Sequence, residues 1–361
     1  MTGSGFKPLR IGPLTAPLPI IQGGMGVGIS LSSLAAAVAE EGGIGTIAAV
    51  GIGMSEPDVY SNFVEANVRA LKREIRKARE KTRGILAVNV MVAMTNFAEM
   101  VAAAVEEKID LILAGAGLPL DLPRYLGEGA QTRLAPIVSS GRAAALLCKR
   151  WLERFHTVPD ALVVEGPLAG GHLGFKPEDL SLPRNALEAL VPEVVEAVKP
   201  FEDRTGRPIP VVAAGGIYTG ADILAFERLG AAGVQMATRF VTTYECDASP
   251  AFKQAYLDAG PNDLRIIKSP VGLPGRAIGN AFLDAVEAGE KAPFRCPYHC
   301  ISTCDHTKAP YCIALALVNA QRGNLKSGFA FAGANAHRAQ AILSVKQTVE
   351  ALRREYLEAA G

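Results

Sequence analysis

The stretch EGPLAGGHLGF, residues 165–175, sets one of the chain's five histidines directly behind two glycines. An imidazole that is neutral near pH 7 can give or take a proton, and glycine lets backbone approach a ligand closely, so His172 is a candidate acid/base group. A glycine-rich turn in which His172 only caps a strand end accounts for the stretch equally well. A second concentration of chemistry is CPYHCISTCDHTKAPYC, where Cys296, Cys300, Cys304 and Cys312 are separated by three, three and seven residues. Thiolates bind soft or borderline metals. The expectation is a [4Fe–4S] cluster, with structural zinc as the alternative and redox or plain structural thiols behind both. His299 and His306 read as solvent-facing companions, and Cys148 and Cys246 as unliganded.

Short apolar runs recur along the chain and must position these groups. Eight are evident: 19–22, 44–50, 85–91, 110–114, 135–138, 161–165, 209–214 and 233–238. Helical patterns lie between them at 32–41, 58–81, 96–107, 142–154, 185–198 and 221–229. Continuous apolar strands alternating with helices are the pattern of parallel strands buried on both faces, so the predicted fold is an α/β TIM barrel. A doubly wound sheet is the alternative, but its GxGxxG fingerprint is present only in distorted form, as GGMGVG. After the eighth strand the rhythm breaks. The predicted division is a barrel over 1–239, a Cys-containing extension over 240–334 and a C-terminal helix, from about Ala336 to Leu357, packing back on the barrel.

Barrel enzymes gather their chemistry at the C-terminal ends of the strands, with phosphate bound after strands seven and eight. Here those loops carry Gly215 and Gly216, then Thr238, and a helix beginning near Thr219 or Gly220 would add its positive end. Gly23 and Gly24 after strand one permit close approach, Met25 offers a polarizable cover and Asn89 on strand three can bond a heterocycle edge. Together these suggest a flavin mononucleotide across the barrel mouth, with His172 facing it.

The runs PIIQGGMG, AVNVMV, EGPLAGGHLG, VVAAGGIYTGADI, GVQMATRF and IIKSPVGLPGRAI resemble, in order, motifs of the nitronate monooxygenase family, formerly 2-nitropropane dioxygenases, and of the related FMN-dependent enoyl-ACP reductase. The resemblance spans about residues 15–280. It implies non-covalent FMN touching Gln22, Gly23, Met25 and Asn89, phosphate contacts at Gly215, Gly216, Gln235, Met236, Ala237 and Thr238, and a catalytic role for His172. Glu165, Gly170 and Gly171 join the cofactor-binding set. The family loop commonly reads Glu-Ala-Gly-Gly-His, whereas this chain has Leu168 in the acidic position. The implied activity is oxidation of a small nitronate-like substrate. Reduction of an enoyl thioester fed by NAD(P)H or ferredoxin is the alternative, and a flavin-bound sensor or scaffold is the non-enzyme option.

Charge bounds the partners. With 37 basic and 36 acidic residues, nothing favours nucleic acid or a membrane surface. The start MTGSGFKPLRIGPL lacks an apolar core behind a basic segment, so a cytoplasmic protein is expected, with a homodimer left open.

Overall fold

The computed structural model describes residues 5–291, 296 and 298–361. Eight parallel strands close into a barrel: Ile20–Gln22, Ile44–Ala48, Ile85–Met91, Leu111–Gly115, Arg133–Val138, Leu162–Glu165, Val211–Ala214 and Gly233–Met236. Each pairs with its sequence neighbours, and the eighth pairs with the first through Gln235 and Ile21. This is the predicted TIM barrel. Its helices are α1 (Ser32–Glu40), α2 (Phe63–Lys81), α3 (Phe97–Glu106), α4 (Gly141–Phe155), α5 (Leu187–Thr205) and α6 (Gly220–Arg228). After the fourth strand a single 3-10 turn, Leu122–Tyr125, stands in for a helix.

A short hairpin, Leu9–Ile11 with Leu14–Ala16, packs Leu9, Ile11 and Ala16 against strand residues such as Ile21, Ile44 and Leu111. That closes one end of the barrel with apolar side chains and leaves the other end for chemistry. Where helices cross close to strands, glycine is required. A β-carbon on Gly45 would lie 1.8 Å from the Ala35 carbonyl oxygen, which is how α1 comes to rest on the second strand.

Two predicted helices differ from expectation. α5 runs past Pro200 to Thr205, because its buried stripe of Leu187, Leu190, Val191, Val194 and Val198 holds it against the core, and it stops at the left-handed Gly206. The terminal helix begins not at Ala336 but as α11, Val345–Ala360. Ser344 caps it, accepting from Gln347 N while the Gln347 side chain accepts from Ser344 N, so this capping box and not the apolar pattern fixes its start.

Beyond the barrel come α7 (Thr238–Val241), α8 (Pro250–Asp258), α9 (Ala281–Glu287) and α10 (Ile313–Gln321). A hairpin of Leu264–Lys268 and Pro274–Ile278 is joined by Gly171–His172 as a third antiparallel strand. α11 returns to the barrel against α6. There Tyr356 donates to Glu227 at 2.6 Å, and Leu352 is fully buried. No described helix is long and apolar enough to cross a membrane.

Candidate active site

The C-terminal ends of the strands open into one cavity. Gly23, Met25, Asn89, Glu165, Gly170, Gly171, His172, Gly215, Gly216, Gln235, Met236, Ala237 and Thr238 all line it. Gln22 does not. Its fully buried amide donates to Gly23 O at 2.5 Å and to Ser30 Oγ at 3.0 Å, and accepts from Thr46 N at 2.9 Å. It braces the glycine loop from behind. Gly24 lets that loop cross the third strand, since a β-carbon there would sit 2.4 Å from Asn89 Cβ.

His172 owes its place to a distant hairpin. It pairs with Gly275, Gly171 pairs with Arg276, and Leu173 N donates to Pro274 O at 2.9 Å. His172 Nε2 lies 2.8 Å from Ser269 Oγ in the hairpin turn, and its ring meets Phe331 edge-on at 5.0 Å. Arg276 fastens the loop itself by donating to Pro167 O at 2.5 Å and Ala169 O at 2.7 Å. With a proton on Nε2 the ring donates to Ser269 and leaves the Nδ1 lone pair free; in the other tautomer Ser269 donates and Nδ1–H is free. Burial lowers this imidazole to about 4, so it is neutral at working pH.

The glycines before it have separate reasons. A β-carbon on Gly170 would meet Gly333 N at 2.5 Å and Ala332 C at 2.6 Å, so its bareness admits the 331–334 segment to the cavity wall. Gly171 has open space around it but a φ of +79°, which disfavours any side chain.

Three polar side chains reach the cavity unsatisfied. Gln235 Oε1 is buried without a partner. Asn89 and Glu165 line the cavity, and among the described residues neither side chain has a hydrogen-bond partner. Burial lifts the Glu165 carboxyl to about 7. At the opposite loops, Gly215 and Gly216 both have φ of +93°, and their N–H groups donate to no backbone acceptor among the described residues. Thr238 Oγ1 accepts from Gly333 N at 3.2 Å, and Asn335 Nδ2 donates to Gly216 O at 2.6 Å, tying the far segment to this corner.

The helix end expected to meet phosphate is already engaged. Tyr218 N and Thr219 N donate to Asp222 Oδ2, and Gly220 N donates to Glu355 Oε2 at 2.8 Å. Two carboxylates therefore satisfy the positive end of α6. A cradle here would rest instead on the Gly215 and Gly216 amides and on the start of α7. Unpartnered amide and carboxyl groups at the strand ends, bare backbone N–H groups beyond them and apolar cover from Met25 and Met236 fit a flavin mononucleotide. No Lys or Arg lines the described cavity.

Sequence reasoning missed Ser269, Arg276, Phe331, Ala332, Gly333 and Leu317. The first two lie within the run IIKSPVGLPGRAI; the others follow the cysteine block, where no periodic signal exists. The four cysteines of that block are free thiols, and among the described residues no three His, Cys, Asp or Glu side chains stand as a preformed metal site. Cys148 and Cys246 are buried in the apolar core.

Comparison with known proteins supplies the context. Residues 7–355 match the family model described as nitronate monooxygenase. A probable nitronate monooxygenase of Staphylococcus aureus (strain Newman) is 27% identical over 303 residues, 77% of this chain and 79% of the relative. FabK from Thermotoga maritima superposes with a TM-score of 0.73 at 29% identity, covering 95% of this chain and 94% of that one. Nitroalkane oxidase from Streptomyces ansochromogenes gives 0.73 at 25% identity, covering 95% and 97%. This chain therefore belongs to the nitronate monooxygenase family and is a flavin-dependent oxidoreductase.

Proposed function

We propose that the chain binds FMN across the cavity and oxidises a small nitronate, with His172 as the group that meets the substrate. The observation that carries this reading is the imidazole at the cavity wall, held by Ser269 and kept neutral by burial. A neutral imidazole whose conjugate acid is that strong is a poor base toward carbon, so the substrate form that suits it arrives already deprotonated. The ring's role is then to donate a hydrogen bond to the nitronate oxygens, which already carry the charge, and to hold the substrate in line. The flavin, when bound, supplies the two-electron and oxygen chemistry. Asn89, Gln235 and Glu165 would hold the ring edges, and Gly215, Gly216, Ala237 and Thr238 the phosphate. Gly23, Met25, Gly170, Gly171 and Met236 would line the approach.

One observation favours enoyl-thioester reduction as a second reading. Among the described residues the cavity presents Ile29, Leu168, Leu317 and Phe331 but no cation, and Leu168 is 47% exposed at its mouth. Such a wall suits a neutral acyl chain. On that reading His172 polarises the thioester carbonyl, and reducing equivalents come from NAD(P)H or a ferredoxin.

The test is an assay of FMN-loaded protein against an alkyl nitronate, its neutral nitroalkane and a crotonyl thioester, the last anaerobically with each donor. Oxygen uptake with nitronate well above nitroalkane is the expected result. Turnover of the thioester alone would replace this reading with the second one. The His172→Ala variant should lower the productive reaction by about 10²–10³-fold, the range for losing one positioned hydrogen-bond donor, while retaining flavin.

A further inference from the structure

The cysteine block is absorbed by neither reading, yet the fold gives it a defined berth. Ile301 bridges to Met94, Thr95 N donates to Cys300 O at 3.1 Å, and Ser302 donates to Ala93 O through both N and Oγ. The block is thus laid along residues 93–95, just past the third strand that carries Asn89 into the cavity. Its other end, Cys312, immediately precedes α10, whose Leu317 lines that same cavity. From Cys312 to Leu317 is five residues, or about 7.5 Å of helix.

The thiols gather within this berth. Cys300 and Cys312 belong to one apolar cluster with Tyr298, and Cys304 packs on the neighbouring one beside Tyr311 and Phe329. Cys300 lies within electrostatic reach of Cys296, Cys304 and Cys312. Backbone donors face the sulfurs: His299 N donates to Cys296 Sγ at 3.3 Å, and Ala314 and Leu315 N–H groups reach Cys312. All four remain unbridged. Sulfur atoms in apolar surroundings that accept amide hydrogen bonds form the setting in which thiolate-bound metals are tuned.

We infer that Cys296, Cys300, Cys304 and Cys312 are the ligands of one thiolate-bound metal centre seated between the loop after the third strand and the start of α10. The thiols are not a preformed set, so the metal draws the block closed as it binds, as coupled folding and metal binding require. An iron–sulfur cluster is the expected occupant, because one compact block supplies all four sulfurs; zinc shares the same thiolate chemistry.

The full-length protein, produced anaerobically with iron supplied, would be analysed for iron, acid-labile sulfide and zinc. About four iron and four sulfide per chain identify a [4Fe–4S] cluster, and about one zinc with no iron identifies a structural staple. Either establishes the site. Wild-type protein holding none of these overturns the inference, whatever its variants do. Cys304→Ser and Cys300→Ser should each cut metal to below about a tenth of wild type while flavin content is retained, since no cysteine lines the cavity. Metal unchanged in both variants also overturns it. Because metal content is read independently of turnover, failure here leaves the flavin reading standing.

Discussion

At the scale of single residues, two ionisable groups in one cavity are pushed in opposite directions by the same cause. Burial lowers His172 from 6.5 to about 4 and raises Glu165 from 4.5 to about 7. The folded protein resists protonating the imidazole, so the histidine contribution weakens stability as pH falls from 6.5 toward 4. The folded protein holds the carboxyl proton that the unfolded chain releases, so the glutamate contribution is full below 4.5 and is lost as pH rises through 7. In flavin-free protein the two slopes oppose each other between about 4.5 and 6.5. Relative to wild type, thermal midpoints should therefore climb more steeply with pH between about 4.5 and 6.5 in Glu165→Gln and climb less steeply, or fall, over the same range in His172→Asn. Parallel pH curves for both variants and wild type would refute the assignment of these shifts. Ser269 acts through the histidine, so Ser269→Ala should cost about 10-fold in turnover, what the loss of one hydrogen bond of about 1 kcal/mol or a little more produces, and leave flavin binding intact. The place of His172 at the barrel mouth was legible in the sequence because its loop follows the sixth apolar run. Its state was not, because desolvation depends on Phe331 and the hairpin, which lie far along the chain.

At the scale of elements, strands were the readable part. The third strand was predicted over 85–91 and forms over Ile85–Met91, since a run of Ile, Leu, Ala and Val behind Gly84, interrupted only by Asn89, suits a strand buried on both faces. Helix ends were harder. Capping decided them: Ser344 and Gln347 start α11, and Asp222 with Glu355 close the front of α6. The second of these is non-local, so the phosphate role suggested by the α6 start could not be checked against a carboxylate 135 positions away. Glycine roles divide in the same way. Gly170→Ala would drive a β-carbon into Gly333 N and should destabilise by about 1–3 kcal/mol, the range for overpacking, and loosen flavin retention. Gly171→Ala meets open space and should cost only the left-handed penalty of about 1–2 kcal/mol. Denaturant titration with flavin fluorescence separates the two, and a larger loss at Gly171 would contradict the packing account.

At the scale of the whole molecule, the terminal helix is part of the barrel. Val345, Val349, Leu352 and Tyr356 are buried in the same core as the strands, and Glu355 also pairs with Arg239 of α7 at 3.3 Å. Deleting residues 345–361 should leave the chain insoluble or lower its melting temperature by 10 °C or more, given roughly 2–5 kcal/mol for each large core side chain lost. A soluble truncated protein with an unchanged transition would show that the helix is an accessory.

The histidine that faces the cavity is held by Ser269 and Arg276, and the wall beside it by Phe331 to Gly333. During synthesis, then, a ribosome must deliver the chain through Gly333 before the pocket has all its sides. Nascent chains arrested before residue 331 should therefore fail to capture flavin, and chains released at full length should acquire it, with maturation timed by translation and not by cofactor supply.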